Sequence, residues 1–244
     1  MRFTTSWDDG HPLDLKLADL LDRHGLPGTF FVPLRNREGL PVMEAGALRQ
    51  LDGRFEIGSH TLDHHYADRG DAGTWARQVI DGKAALEQAL GHAVAGFCYP
   101  GGRADAAARQ VVRGAGFAYA RSIVNLHLDA GDDRFRLPTT AQFFPHPRGV
   151  LLRNWLRGGQ VATRARAAAI ALGPGDWHQR LLRLLHEARA RDGVFHLWGH
   201  SWEIEQFGLW SALDELLKEA ARLVPAGQRR SNGALVDERF GTAV

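Results

Sequence analysis

Two histidines four residues apart, His60 and His64 in the run His60-Thr61-Leu62-Asp63-His64-His65, are the first feature that could do chemistry. On a helical turn, side chains at i and i+4 point to the same side, so the two imidazoles could share one metal ion. Two adjacent acids, Asp8 and Asp9, close the run Thr5-Ser6-Trp7-Asp8-Asp9-Gly10. Neighbouring acids at a strand end point different ways, which lets one ligate an ion while the other stands beside it. Two imidazoles, one carboxylate and an open position are the donor set of a catalytic zinc site. Each half alone has a plainer account: a His pair at this spacing is common on surfaces, and an acid before Gly10 can simply cap the next helix. Two further stretches stand out. In Pro100-Gly101-Gly102 no side chain blocks close approach of the backbone. His200, between Trp198 and Trp202, reads either as an acid–base group or as a packed core histidine.

The elements that must hold these residues follow a βα rhythm. Residues 2–7 form a short β-prone run before the polar turn. Pro12 suits a first helical position, Leu13, Leu17, Leu20 and Leu21 recur at helical spacing, and Gly25 supplies a stop. A buried strand over 28–33 follows, then helix 44–51, strand 55–59, helix 74–90, strand 95–99, helix 104–114 and strand 117–121. Between 122 and 177 the rhythm loosens around Pro138, Pro145, Pro147 and Pro174, with one helix-like, Arg/Ala-rich piece at 161–172. It returns as helix 177–190, strand 193–198, helix 209–223 and a last short segment around 234–236. Such alternation predicts an α/β architecture of parallel strands. There, active groups sit on loops at the C-terminal ends of strands. Asp8-Asp9 follow the first strand, His60–His64 the third, Pro100–Gly102 the fourth and His200 the strand 193–198, so four loops converge on one rim.

The 244 residues fit one α/β barrel domain, 1–244. With 44% hydrophobic and 24% charged residues, collagen-like, disordered and disulfide-scaffold readings fall away. A single cysteine, Cys98, can form no internal disulfide and reads as a small buried hydrophobe. No apolar segment follows Met1 and no run approaches the roughly 18 apolar residues of a membrane span, so a cytoplasmic protein without a membrane span is expected. A net charge of +2 implies no nucleic-acid partner, and the oligomeric state is open.

In this order, Thr5-Ser6-Trp7-Asp8-Asp9-Gly10, His60-Thr61-Leu62-Asp63-His64, Phe97-Cys98-Tyr99-Pro100-Gly101-Gly102 and Leu197-Trp198-Gly199-His200-Ser201-Trp202-Glu203 resemble the motifs of the polysaccharide deacetylase family. This is the nodulation-protein-B homology domain, also called carbohydrate esterase family four. The resemblance spans residues 5–203 and implies a distorted (β/α) barrel with seven or eight strands. It further implies a divalent metal and hydrolysis of an amide- or ester-linked acyl group on a carbohydrate-type or other acylated small-molecule substrate. Matched residue by residue, Asp9, His60 and His64 correspond to the metal ligands, Asp8 to the catalytic base, Gly101 to the backbone oxyanion donor and His200 to the general acid. Zinc is the expected ion, with cobalt, nickel and manganese as alternatives. Many members carry an arginine where this chain has Cys98, and an aromatic residue where it has Gly101. That arginine tunes the base. Arg121, at the end of the next strand, is the candidate to replace it, because a cation within about 4–6 Å keeps a carboxylate ionised. The family's later Asp/Trp motif has no clear counterpart, which leaves Tyr99, Trp198 and Trp202, with Pro100 and Gly102, as candidate substrate-binding positions.

Several residues carry weaker expectations. His11 and His65 adjoin the motifs and could touch substrate; Glu203 could hold His200, bind a hydroxyl or stand in solvent. Arg153, Arg157, Arg164 and Arg166 could receive a phosphate of a nucleotide- or lipid-linked sugar, or form a solvated helix face. Two rival functions remain: a cyclic-amide hydrolase on the same fold, and a non-catalytic metal-binding relative.

Overall fold

A computed structural model describes residues 1–67 and 71–242. Seven parallel strands form one curled sheet in the order β5-β4-β3-β2-β1-β7-β6. The first strand, β1 (Arg2–Asp8), lies inside the sheet between β2 (Thr29–Val32) and β7 (Val194–Gly199), pairing Ser6 with both Thr29 and Trp198. Beyond β2 come β3 (Glu56–Ser59), β4 (Gly96–Cys98) and β5 (Tyr119–Arg121); beyond β7 comes the two-residue β6 (Ala141–Gln142).

The two edges are joined by one stretch of chain. Leu137 N donates to Ala120 O and Ser122 N to Leu137 O, while Thr140 N donates to His196 O and Phe143 N to Trp198 O. The segment 137–143 therefore lies on β5 at one end and on β7 at the other, which closes the sheet into a distorted barrel. It falls in the proline-interrupted region where no strand pattern was visible.

Strand alternation divides the residues of β1 between two environments. Phe3, Thr5 and Trp7 face the helical layer, where Phe3 stacks on Phe195 at 5.9 Å and Trp7 Nε1 donates to Thr5 Oγ1. Thr4, Ser6 and Asp8 face the barrel interior, where Ser6 Oγ lies 2.9 Å from His196 Nε2 and Thr4 Oγ1 donates to Asn232 Oδ1. The outer layer includes α1 (Asp14–Arg23), α2 (Ala45–Asp52), α3 (Ala72–Leu90) and α4 (Ala106–Gly114), all close to their expected bounds. Each buries an apolar stripe, as in Leu17, Leu20 and Leu21 of α1, at about 1.5–3 kcal/mol per large side chain. Asp71 and Asp105 cap α3 and α4 by accepting from the amides of Thr74 and Ala108.

The C-terminal half adds α5 (Arg148–Arg157), α6 (Val161–Leu172), α7 (Trp177–Ala190), α8 (Ser201–Gln206), α9 (Trp210–Leu223) and α10 (Asn232–Phe240). The short segment expected near 234–236 belongs to α10, a helix that plugs the barrel end away from the strand C-termini. Its Leu235 and Val236 pack with Phe31, Cys98 and Leu137. Among the described residues no helix is long and apolar enough to cross a membrane.

Candidate active site

Asp8 ends β1 and so points into the barrel, while Asp9 turns the other way with φ 78°. The expected helical turn at 60–64 is instead a tight non-helical turn, with φ 70° at Thr61 and 60° at His64. Six described non-glycine residues have positive φ; that three of them are Asp9, Thr61 and His64 marks this corner as held against local preference. The hold comes from the neighbours. Leu62 O accepts from Leu34 N and Arg35 N, Leu62 N donates to Gln78 O, and Asp63 N donates to Gln78 Oε1. A β-carbon at Gly82 of α3 would lie 2.6 Å from Leu62 N, so glycine there lets the turn seat on the helix.

The turn brings the two imidazoles together, ring centroids 5.0 Å apart, and aims both at Asp9. Asp9 Oδ1 lies 3.3 Å from His64 Nε2 and 3.7 Å from His60 Nε2. That oxygen is buried and has no hydrogen-bond partner among the described residues. Asp9 Oδ2 accepts from Trp202 Nε1 at 2.9 Å. His60 Nδ1 donates to Cys98 O at 2.8 Å, which fixes the tautomer and leaves Nε2 a free lone pair. Burial pushes the His60 pKa down to about 4 against the pull of Asp8, keeping the ring in the neutral form that ligates. Donor atoms of Asp9, His60 and His64 all lie within 4.8 Å of one another. Asp8, His60 and Cys98 cluster equally closely, but burial pushes the Cys98 thiol well up and Asp8 is engaged elsewhere. The orphaned Asp9 oxygen between two imidazole nitrogens fits a divalent ion.

Asp8 meets Arg121. The guanidinium contacts Asp8 Oδ1 directly, and Cys98 Sγ lies 3.7 Å from Oδ2. Burial alone would raise the Asp8 pKa; the charge of Arg121, aided by His60 and His200, outweighs it and holds the carboxyl below its usual range. Arg121 itself is fully buried, its guanidinium 4.8 Å from the Trp198 ring.

His200 precedes α8 and stands between the rings of Trp198 and Trp202, at 5.5 and 5.4 Å. Its Nδ1 donates to Glu203 Oε2 at 2.6 Å, and Nε2 lies 3.9 Å from Asp9 Oδ2. Burial pulls its pKa down, but Glu203, Asp9 and Asp8 together raise it to about 9. Glu203 also accepts from Gln142 Nε2, so it holds His200 and is not a free loop acid.

These groups line a cleft of about 200 Å³ together with Gly101, Trp198 and Trp202. Gly101 has φ 59°, and a β-carbon there would strike the Tyr66 ring at 2.6 Å; Gly102, at φ 67°, is packed on Ile123. Pro100 is buried beneath them. Tyr99 also lines the cleft, while its ring is buried beside Phe97 and its hydroxyl donates to Phe135 O. Residues two apart on a strand share a face, so Phe97 and Tyr99 go to the helical layer while Cys98 faces Asp8. His11 and His65 are not among the lining residues; His11 Nδ1 accepts from Leu13 N and His65 lies against Arg37. Arg164 is buried on the carbonyls of Asn154 and Trp155, and Arg166 pairs with Glu187. Three lining residues escaped the sequence reading: Glu38, Tyr66 and Ile123. The Tyr66 hydroxyl donates to Glu38. They stand after β2, β3 and β5, so the rule that active loops follow strand ends could have found them.

Residues 3–120 match the family model described as polysaccharide deacetylase, and no curated protein gives a significant match. A solved structure of a polysaccharide deacetylase from Mycobacterium smegmatis, so far assigned only by resemblance, is similar with a TM-score of 0.60 at 18% identity, covering 90% of this chain and 84% of that one. The family 4 carbohydrate esterase from Streptomyces lividans in complex with acetate has a TM-score of 0.55 at 15% identity, covering 100% and 96%. The Streptococcus pyogenes deacetylase PplD in complex with acetate has 0.51 at 14%, covering 55% of this chain and 62%, under two thirds, of that protein. At these identities the likeness establishes a shared barrel. Beyond that shared barrel, residues 3–120, just under half of the chain, are similar to the polysaccharide deacetylase family.

Proposed function

We propose that the chain is a metal-dependent deacetylase that hydrolyses an amide-linked acetyl group on a carbohydrate-type substrate, with residues 1–244 acting as one catalytic unit. The observation that carries this reading is the orphaned Asp9 oxygen facing two imidazole nitrogens at the base of a cleft that also holds Asp8 and His200. Asp9, His60 and His64 would hold the ion; zinc suits the set, as do cobalt, nickel and manganese. Bound there, a divalent ion lowers the pKa of coordinated water and polarises the acyl carbonyl.

The chain's own residues supply the rest. Asp8, kept ionised by Arg121, takes the proton from the attacking water. The backbone amide of Gly101 faces the developing oxyanion, where a bulkier residue would collide with Tyr66. His200, with Nδ1 committed to Glu203, presents Nε2–H to the leaving amine. Arg121 thus takes, from β5, the place that Cys98 leaves vacant on β4. The indoles of Trp198 and Trp202 form the apolar wall beside the acyl group. At about 200 Å³ the cleft is smaller than the roughly 300–1,000 Å³ of cofactor-sized pockets, a scale that suits an acyl group and its attached ring.

The test is a panel of an N-acetylglucosamine oligomer, an O-acetylated xylo-oligomer and a hydantoin-type cyclic amide, read for acetate release and for ring opening. Acetate from the N-acetylated oligomer supports the reading. Ring opening alone replaces it with the cyclic-amide hydrolase, and a flat panel with metal bound replaces it with a non-catalytic relative.

A further inference from the structure

From Arg134 to Gly175 the sequence holds arginines but no Asp or Glu. The helical hairpin of α5 and α6 occupies most of this stretch. No residue of α5 is fully buried, although the helix contains Val150, Leu151, Leu152, Trp155 and Leu156. Leu152 and Leu156 are 41% and 57% exposed, and Val161, at the start of α6, is 37% exposed. Trp155 Nε1 donates to Val161 O, which draws the start of α6 against α5. Half of the large exposed hydrophobic side chains among the described residues therefore lie on this one hairpin.

The arginines fall into two groups. Arg148 donates to the carbonyls of Gly173 and Gly175, Arg164 is buried on its own hairpin and Arg166 pairs with Glu187. Arg153 and Arg157 are exposed and have no hydrogen bond or ion pair among the described residues. They repeat the i, i+4 spacing of Leu152 and Leu156 one residue on, so apolar and cationic stripes run side by side along α5.

We propose that this face of α5 docks on a surface of anionic lipid headgroups, with Leu152, Leu156 and Val161 entering the interface and Arg153 and Arg157 meeting phosphates. Charge complementarity selects this occupant. A second copy joined by the same face would set arginine against arginine, and a nucleic acid would leave the leucines in water. A helix of this length, about 15 Å, lies on a bilayer and cannot span it. The face is close to the cleft in sequence: β6, whose Gln142 touches the Glu203 that holds His200, leads through residues 143–147 into α5. The inference does not depend on the reaction catalysed.

The experiment is co-sedimentation of the full chain with phosphatidylcholine vesicles, with and without phosphatidylglycerol, at low and high salt. Preferential binding to the anionic vesicles that weakens with salt is expected. The double variant Arg153→Gln/Arg157→Gln should lower the partition coefficient on anionic vesicles on the order of tenfold. Leu152→Ser/Leu156→Ser should lower it at least as much, and both variants should melt like the parent because the substituted side chains are exposed. Absence of vesicle binding, or equal binding by parent and variants, overturns the proposal. Loss in the arginine variant alone would reduce it to a generic polyanion contact. A concentration-dependent dimer abolished by Leu156→Ser would show that a second copy covers the face.

Discussion

The two ends of the barrel bury polar groups to a similar degree and treat them in opposite ways. At the floor, under α10, Thr29 Oγ1 and Tyr119 Oη donate to the two oxygens of Glu56, Gly233 N donates to Glu56, Asn232 N to Thr29 and Thr4 Oγ1 to Asn232. Of this network only Asn232 Nδ2 lacks a partner among the described residues. At the rim, Asp9 Oδ1, His64 Nδ1, two nitrogens of Arg121 and the indole nitrogen of Trp198 all lack one. A buried polar atom without a partner costs about 1–3 kcal/mol, so the rim carries a standing penalty that the floor avoids. Volume points the other way. A groove of about 540 Å³ opens beside the floor, against about 200 Å³ for the rim cleft. Of its charges, Asp192 pairs with the N-terminal ammonium and Arg2 with Glu238. Unpaired chemistry, more than empty space, separates a site built to receive something from one built to hold the fold.

The sharpest way to break this comparison is to exchange its two ends. His60→Ala or His64→Ala should abolish stoichiometric metal binding, measured by elemental analysis, and reduce deacetylation to background while leaving the melting temperature near that of the metal-free parent. Tyr119→Phe at the floor should do the reverse, costing about 1–3 kcal/mol of stability with metal content unchanged. Next in size is the loss at His200. Because an amine cannot leave unprotonated whereas a phenolate can, His200→Ala should slow amide hydrolysis on the order of 10²–10⁴-fold and an activated aryl ester far less. Equal loss on both substrates would make His200 a packed residue between two indoles.

Gly82→Ala tests the platform under the metal turn. Helix propensity alone would reward alanine by about 1 kcal/mol, but its β-carbon would press on Leu62 N, 2.6 Å away. A net loss of about 1–3 kcal/mol in thermal unfolding and weakened metal affinity are expected, and a stabilised variant with full affinity would refute the close seating. The last test is a pH slope. His196 sits between floor and rim, its Nδ1 donating to Pro138 O and its Nε2 facing Ser6; burial, then Arg121, lowers its pKa to about 3. The unfolded ring, near 6.5, takes a proton that the folded ring refuses, so stability should fall as pH drops from about 6.5 towards 3, by at most about 1.4 kcal/mol per pH unit from this residue. His196→Gln should show a shallower fall in a denaturation series.

The parts of the fold that were legible in the sequence are those with strong periodicity. The βα alternation to residue 121 and the elements at 177–190, 193–198 and 209–223 follow from leucine spacing and turn residues. What closes the barrel was not legible, because 137–143 pairs through backbone groups amid prolines and carries no alternation. At the rim, Asp8, Asp9, His60, His64, Gly101 and His200 could be read from residue type and position after strands. The shape of the 60–64 turn could not, since its positive φ values fall on Thr61 and His64, residues that give no sign of it. Period-two alternation already separates the Tyr99 ring, packed on Phe97, from the Cys98 thiol that faces Asp8.

The account's central claim is that adjacent carboxylates have different duties, Asp9 ligating and Asp8 moving a proton. Metal content and acetate release should therefore be measured side by side for Asp8→Asn and Asp9→Asn. Asp8→Asn is expected to keep about one divalent ion per chain and lose on the order of 10²–10⁴ in turnover, whereas Asp9→Asn loses the ion itself. Metal lost from the first variant and kept by the second would contradict the assignment and exchange the two roles.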